Sequence, residues 1–207
     1  MRRERWREKE RLRMKARKKR RISSKQEWAR NGFEIPKEEL EERPGALPDP
    51  LRLNRFMRWL MLALATGLGT GFSPVASGTV GTLGGVALFW FMAPPHSSWR
   101  AYILASLVFI WMAVLVSSVA EGIYRKKDDG RIVIDEVVGF LVTMLFAPHT
   151  WKAVALGFVL FRIFDVLKPP PARKLQELRG GVGIVIDDLV AGVYACLCLH
   201  GVLYFMP

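Results

Sequence analysis

The sequence predicts an all-α protein: a polytopic membrane helical bundle with short or discontinuous helices and a basic N-terminal tail. Three observations predict it. Of the 207 residues 51% are hydrophobic, with seven Trp and twelve Phe, yet the formal net charge is +12. Splitting the chain resolves that conflict, because residues 1–50 carry 17 Lys+Arg against 10 Asp+Glu and contain no long apolar run. Residues 51–207 hold the apolar runs, at roughly 80–93, 101–120, 132–147, 153–164 and 184–206. Together they exclude a uniformly basic globular protein and leave a charged tail (1–50) attached to one membrane-embedded domain (51–207).

The tail opens with 13 Lys/Arg and three Glu in residues 1–21, with Trp6, Leu12 and Met14 too sparse to form an apolar face. It reads as a solvated, disordered or partly helical arm, or as a polybasic arm drawn to an anionic leaflet at roughly 1 kcal/mol per basic residue. No nucleic-acid partner is expected, given the membrane domain that follows. The basic run leads into polar sequence rather than an apolar core, so it is not a secretory signal. Residues 22–50, mixed in charge, with Glu38, Glu39, Glu41 and Glu42 and then Pro44, Gly45, Pro48 and Pro50, read as a short helix and a linker.

From Leu51, Arg52, Arg55 and Arg58 alternate with Leu53, Phe56 and Trp59, the pattern of an amphipathic entry helix at a membrane surface. A Gly/Ser/Thr/Pro-rich stretch, Gly67–Gly85, precedes the longer apolar runs. Only the second and last runs approach the ~20 residues that cross a hydrocarbon core. Loops 121–131 and 165–183 carry four basic residues each, whereas 94–100 and 148–152 carry one each. Positive-inside bias therefore puts the tail and both basic loops in the cytoplasm, with five crossings, or four if one short run only dips in. Cys196 and Cys198 lie inside the last run and imply neither a disulfide nor a zinc site.

The carboxylates test that orientation independently. Asp128, Asp135, Glu136, Asp165, Asp187 and Asp188 all fall in or beside the two basic loops, and so do Glu121, Asp129 and Glu177. A carboxylate within a membrane helix costs about 2.5–3.5 kcal/mol on insertion scales. Several converging at one depth call for cations, of which a divalent metal with oxygen ligands is the natural choice, beside Arg162, Lys168 and Arg173. The plainer alternative places 135, 136, 187 and 188 in the first turns of helices, where the dipole favours acids. Arg162 and Asp165, three apart, share a helix face as an ion pair or as an anion contact beside a ligand.

The segment FSPVASGTVGTLGG (72–85) is the second component. Pro74 delays the helix and Ser77 or Gly78 can cap it, so free N–H groups with the Ser73, Thr79 and Thr82 hydroxyls can cradle an anion. The alternative is helix packing on the GxxxG pair Gly81 and Gly85. No Walker lysine follows the glycines, no cysteine has an Arg six residues on, and no Asp-x-Asp pair supports a phospho-aspartate route. His96 and His149 fall on the outer side and His200 inside the last run, so histidine chemistry is not expected at the inner face. Metal-activated water attacking a phosphate ester remains, beside a transporter lined by acids as the non-enzymatic alternative.

The blocks SPVASGTVGTLGG (73–85), DDGRIVIDEVVG (128–139), FRIFDVLKPPPAR (161–173) and GGVGIVIDDLVAGVYA (180–195) resemble the motif blocks of bacterial phosphatidylglycerophosphatase A. The resemblance spans about residues 59–207, in order and spacing, and leaves the tail outside. It implies a multi-pass enzyme of the bacterial cytoplasmic membrane. Such an enzyme needs magnesium and removes the terminal phosphate of phosphatidylglycerophosphate at the cytoplasmic face to leave phosphatidylglycerol. Carried over, Asp135, Glu136, Asp165, Asp187 and Asp188 are candidate catalytic and metal-binding residues, with Asp128 joining the metal set. Ser73, Gly78, Thr79, Gly81, Arg162, Lys168 and Arg173 are candidate substrate-binding residues. Pro170 stands where the family often has an aromatic. Another lipid phosphate is the alternative substrate, and no oligomeric state follows from the sequence.

Overall fold

A computed structural model describes residues 53–92, 98–126, 128–178 and 180–205. The chain divides into two units, Met1–Ala46 and Leu47–Pro207, and every described residue lies in the second. The tail and linker expected over 1–50 lie outside the described residues, as do Arg52, His96, Lys127 and Arg179.

Among the described residues every regular element is helical, as the sequence predicts. Helix α1, Arg55–Ala65, is capped by Asn54, whose side chain accepts from the Met57 N–H at 2.8 Å. This is the expected entry helix, and Phe56 and Trp59 stand exposed on it. A single 3-10 turn, Thr70–Phe72, leads to α2, Ser77–Met92. Ser77 and Gly78 lie within α2, and the Ser77 hydroxyl donates to the Gly130 carbonyl at 2.8 Å. The expected cap thus tethers the start of α2 to the loop before α4, and Ala76, at φ 49°, makes the sharp entry.

Helices α3, Trp99–Tyr124, and α7, Gly181–Phe205, are long and apolar enough to cross a membrane. Between them stand α4, Ile134–Thr143, α5, Trp151–Leu167, and the one-turn α6, Ala172–Leu175. The run at 132–147 yields only ten helical residues, about 15 Å at 1.5 Å per residue and half a hydrocarbon core. Its ends are set by neighbours. The Val133 N–H is bonded to the Ala65 carbonyl at 2.9 Å, and Phe146 takes a left-handed turn at φ 59° ahead of Pro148.

Helix α4 is the centre of the bundle, and all of it except Glu136 is buried. Helices α2 and α7 run parallel to it, so their N-terminal halves gather at one end. Gly81 lies on Val133, Gly85 on Phe140, and Gly139 on the Asp188 carbonyl. Helix α5 returns antiparallel, setting Gly157 against Met144 and the Phe161 ring against Gly139. A short buried helix must find partners for its last carbonyls. The Tyr102 hydroxyl donates to the Leu141 carbonyl at 2.7 Å, and the Met144 and Leu145 N–H groups donate to the Phe140 and Val142 carbonyls at 3.1 and 3.2 Å. Phe89, Phe140, Phe161 and Leu199 fill one side of the core, and Ala113, Val116, Val138 and Val185 the other.

The glycine contacts make a prediction. A Cβ at Gly139 would stand 2.7 Å from the Phe161 ring and 2.9 Å from the Asp188 carbonyl, whereas one at Gly84 meets only Val137, at 3.6 Å. Thermal unfolding in detergent should show Gly139→Ala destabilised by about 1–3 kcal/mol. Gly84→Ala should be neutral or stabilised by up to about 1 kcal/mol through helix propensity. Equal effects would mean that the close packing of α4 is not what limits stability.

Candidate active site

The gathered helix ends bring the motif acids together. Asp135 and Glu136 occupy the first turn of α4, where the helix dipole favours them. Asp187 and Asp188 do not, because α7 begins at Gly181 and places them nearly two turns inside. The expectation that both pairs sit in first turns is corrected there: the motif glycines Gly181 and Gly183 are themselves helical and extend the helix backwards. Helix ends alone therefore cannot explain the second pair. Asp165 lies in the last turn of α5, the end that disfavours a carboxylate, so it needs a cation of its own.

The five acids divide into two kinds. One carboxylate oxygen from each of Asp135, Glu136 and Asp188 lies within 4.8 Å of the others. Asp135 and Asp188 are 6% and 4% exposed, so water is nearly excluded. Asp135 Oδ1 and Glu136 Oε2 have no hydrogen-bond partner. Three negative charges so close in an apolar surround repel strongly unless a cation or protons intervene. The oxygen-only donor set and the unpartnered oxygens fit a hard divalent cation.

The other two acids are each paired with a base. Arg162 donates through Nη1 to Asp165 Oδ2 at 2.6 Å, the i,i+3 contact expected from the sequence. Lys168 donates to Asp187 Oδ2 at 2.5 Å, which leaves Asp187 Oδ1 unpartnered. Burial works to lower the Lys168 pKa, but the hydrogen bond and charge of Asp187, with Asp188 and Asp128 nearby, hold it above its ordinary value. Asp165 in turn is within electrostatic reach of Glu136 and Asp188, so both kinds of acid belong to one site.

The Gly/Thr segment meets this site at one residue. A Cβ on Gly78 would stand 2.5 Å from Glu136 Oε1 and 3.0 Å from Arg162 Nη1. The start of α2 therefore lies directly on the carboxylate cluster and the guanidinium. Gly81 and Gly85 pack on Val133 and Phe140, the helix-packing arrangement weighed from the sequence. Thr79 is half-buried beside Gly78, while the Ser73 hydroxyl donates to the Val75 carbonyl at 2.9 Å in the preceding loop.

Asp128 is not one of the three clustered carboxylates but lies within electrostatic reach of Asp135 and Asp187, and Arg173 shares its surroundings. Both line an open depression of about 540 Å³ with Val166, Lys168, Gln176 and Glu177. Gln176 donates to Asp128 Oδ2 at 2.6 Å, a contact no sequence pattern singled out because 48 residues separate the two. The loop carrying Asp128 is pinned by its neighbour. Arg131 donates to Asp129 at 2.7 and 3.1 Å and lies over the Tyr124 ring at 3.7 Å. That guanidinium pulls the Asp129 carboxyl down to about 2. His149 lies away from the site, against Phe89 and Trp90, and His200 bonds within its own helix.

A sequence profile of one family, phosphatidylglycerophosphatase A, matches residues 63–203. This chain belongs to the phosphatidylglycerophosphatase A family. It is 38% identical to phosphatidylglycerophosphatase A of Escherichia coli K12 over 157 residues, 75% of this chain and 87% of that protein. It is 35% identical to phosphatidylglycerophosphatase A of Haemophilus influenzae, over 69% of this chain and 88% of the relative. A Bacteroides thetaiotaomicron protein, provisionally named a phosphatidylinositol-3-phosphatase, is also 35% identical, over 68% of this chain and 92% of its own length. No solved structure matches. Every candidate residue from Ser73 to Asp188 lies within the segment that the phosphatidylglycerophosphatase A profile covers, and residues 1–50 lie outside it.

The paired acids yield the second prediction. Lys168→Met leaves Asp187 buried without a partner and should lower stability in detergent by about 3–5 kcal/mol. The double variant Lys168→Met with Asp187→Asn should recover part of that loss. Simple addition of the two single effects would show that the pair is not coupled.

Proposed function

We propose that this chain is a magnesium-dependent phosphatase that hydrolyses the terminal monoester of phosphatidylglycerophosphate, releasing phosphate and phosphatidylglycerol for phospholipid synthesis. The observation that carries the reading is the convergence of Asp135, Glu136 and Asp188 beside two cationic side chains. Membership of the phosphatidylglycerophosphatase A family names the chemistry such a site serves. Asp135, Glu136 and Asp188 would hold the magnesium, which would supply Lewis acidity to a bound phosphate and acidify water. Asp165 and Asp187 hold the Arg162 guanidinium and the Lys168 ammonium at the edge of the cluster, aimed where phosphate oxygens arrive. Arg162 offers further N–H groups in a fixed fork, and Lys168 two further donors. The N–H groups at the start of α2, reached over Gly78, add neutral donors to the same anion. A carboxylate of the cluster accepts the proton of the attacking water as the bond from phosphorus to the glycerol oxygen breaks, and a proton returns to that oxygen, which leaves as the alcohol.

The same reading places the site on the cytoplasmic face of a multi-pass protein in the bacterial cytoplasmic membrane, with the basic tail at the anionic leaflet. The clustering of the acids at one end of the bundle favours it over a transporter, whose acids would line a path through the whole core. The Bacteroides relative supports a second reading, in which the monoester is carried by another lipid headgroup.

The test is phosphate release from phosphatidylglycerophosphate by the purified full chain in mixed micelles. A chelator should abolish it, and Asp135→Asn or Asp188→Asn should reduce kcat at least about a hundredfold. Magnesium should raise the melting temperature of the native protein but not of Asp188→Asn. Activity that survives the chelator would rule out the metal role. A separate outcome is expected at α2: Gly78→Ala pushes a methyl onto Glu136 and Arg162 and should cut kcat about tenfold or more. Gly84→Ala, which touches neither, should leave kcat within about twofold.

A further inference from the structure

We infer that the depression held by Asp128 and Gln176 is a specificity subsite. It would receive the polyol phosphodiester that joins a substrate's cleaved monoester to its diacylglycerol, and Gln176 would be its selecting residue. The inference rests on the phosphatase reading above and narrows its substrate class. The depression, about 540 Å³, adjoins the carboxylate cluster through Lys168, which lines it while bonding Asp187 at 2.5 Å. One ammonium hydrogen is thereby used and two remain for an incoming anion. Arg173 adds a second cation on the same wall, exposed and without an ion pair among the described residues.

The chemistry of that wall is too rich for a monoester alone. A phosphatidic acid has its single phosphate directly on diacylglycerol and needs only the cluster, Arg162 and Lys168. A lipid whose monoester sits on a polyol brings two further demands, a second anion at the diester and at least one free hydroxyl. Arg173 meets the first, because the free Lys168 donors serve the monoester. The second needs acceptors and a donor, which the Asp128 and Glu177 carboxylates as acceptors and the Gln176 amide as both provide. Val166, 70% exposed at the rim, gives an apolar edge toward the acyl chains. Gln176 matters most because it couples the two walls. Its amide reaches across from the turn after α6 to Asp128 Oδ2 at 2.6 Å, fixing the carboxylate while its own carbonyl oxygen stays free to accept from a hydroxyl. Both the glycerol linker and an inositol linker have this chemistry, and phosphatidic acid lacks it.

The experiment compares kcat/KM on phosphatidylglycerophosphate and on phosphatidic acid, with phosphatidylglycerol as a competitive inhibitor that carries the diester but no monoester. The native protein should prefer phosphatidylglycerophosphate. Gln176→Leu should lower that preference about tenfold, through KM rather than kcat, and weaken inhibition by phosphatidylglycerol similarly. Val166→Trp, a rim substitution that fills the depression without touching the Gln176–Asp128 contact, should do the same and guards against a folding defect in the first variant. An unchanged preference and unchanged inhibition in both variants would overturn the inference, as would equal losses on both substrates. Native protein inactive on both lipids would overturn the phosphatase reading itself, a different result from an active enzyme whose variants keep their selectivity.

Discussion

The structure turns on the need to neutralise carboxylates that are taken out of water. Asp135, Glu136 and Asp188 bring oxygens within 4.8 Å of one another in a nearly dry setting, and among the described residues no cation forms an ion pair with any of them. Asp165 and Asp187 meet the same constraint differently, each with its own base. Much of the surrounding architecture follows. Helices α2, α4 and α7 start at one end so that their N-terminal halves face the charge, and α5 returns so that Arg162 and Lys168 arrive at the same end. The glycines let backbone, rather than side chains, occupy the space around the acids.

Much of this was legible in the sequence, for physical reasons. Apolar runs are set by solvation, and the two longest became the two long helices. The concentration of Lys and Arg in two loops predicted that these share one side, and the structure brings them together beside the acids. The Arg162–Asp165 pair follows from helical periodicity. The entry helix was legible because Arg55 and Arg58 share a period with Phe56 and Trp59.

Other features depend on contacts between distant segments, which no local pattern encodes. Lys168 and Asp187 are 19 residues apart and Gln176 and Asp128 are 48 apart. Their pairing is fixed only once α6 folds back beside the loop before α4. The start of α7 was misplaced because two glycines normally end or delay a helix. Here the Gly181 N–H finds the Ser118 hydroxyl at 2.7 Å, and Gly183 packs on the Leu178 backbone, so tertiary contact overrides propensity. The role of the Gly/Thr segment looked like a choice between packing and anion binding. All three glycines share one helix face: Gly81 and Gly85 pack on Val133 and Phe140, and Gly78, one turn nearer the start, lies against Glu136 and Arg162.

The sheathing of α4 has a consequence for how the protein meets its solvent. A helix of ten residues with one half-exposed side chain has no hydrophobic length to match to a bilayer. In a membrane, thickness changes would be absorbed by tilt of α3 and α7, whose outer faces carry exposed residues such as Trp111, Val193 and Leu197. The acids on α4 are referenced to the backbone of α2 and α7 through glycine contacts rather than to lipid. Because α7 also carries Asp187 and Asp188, changes in bilayer thickness would reach the carboxylates through that helix, whereas α4 itself has no exposed side chain to respond.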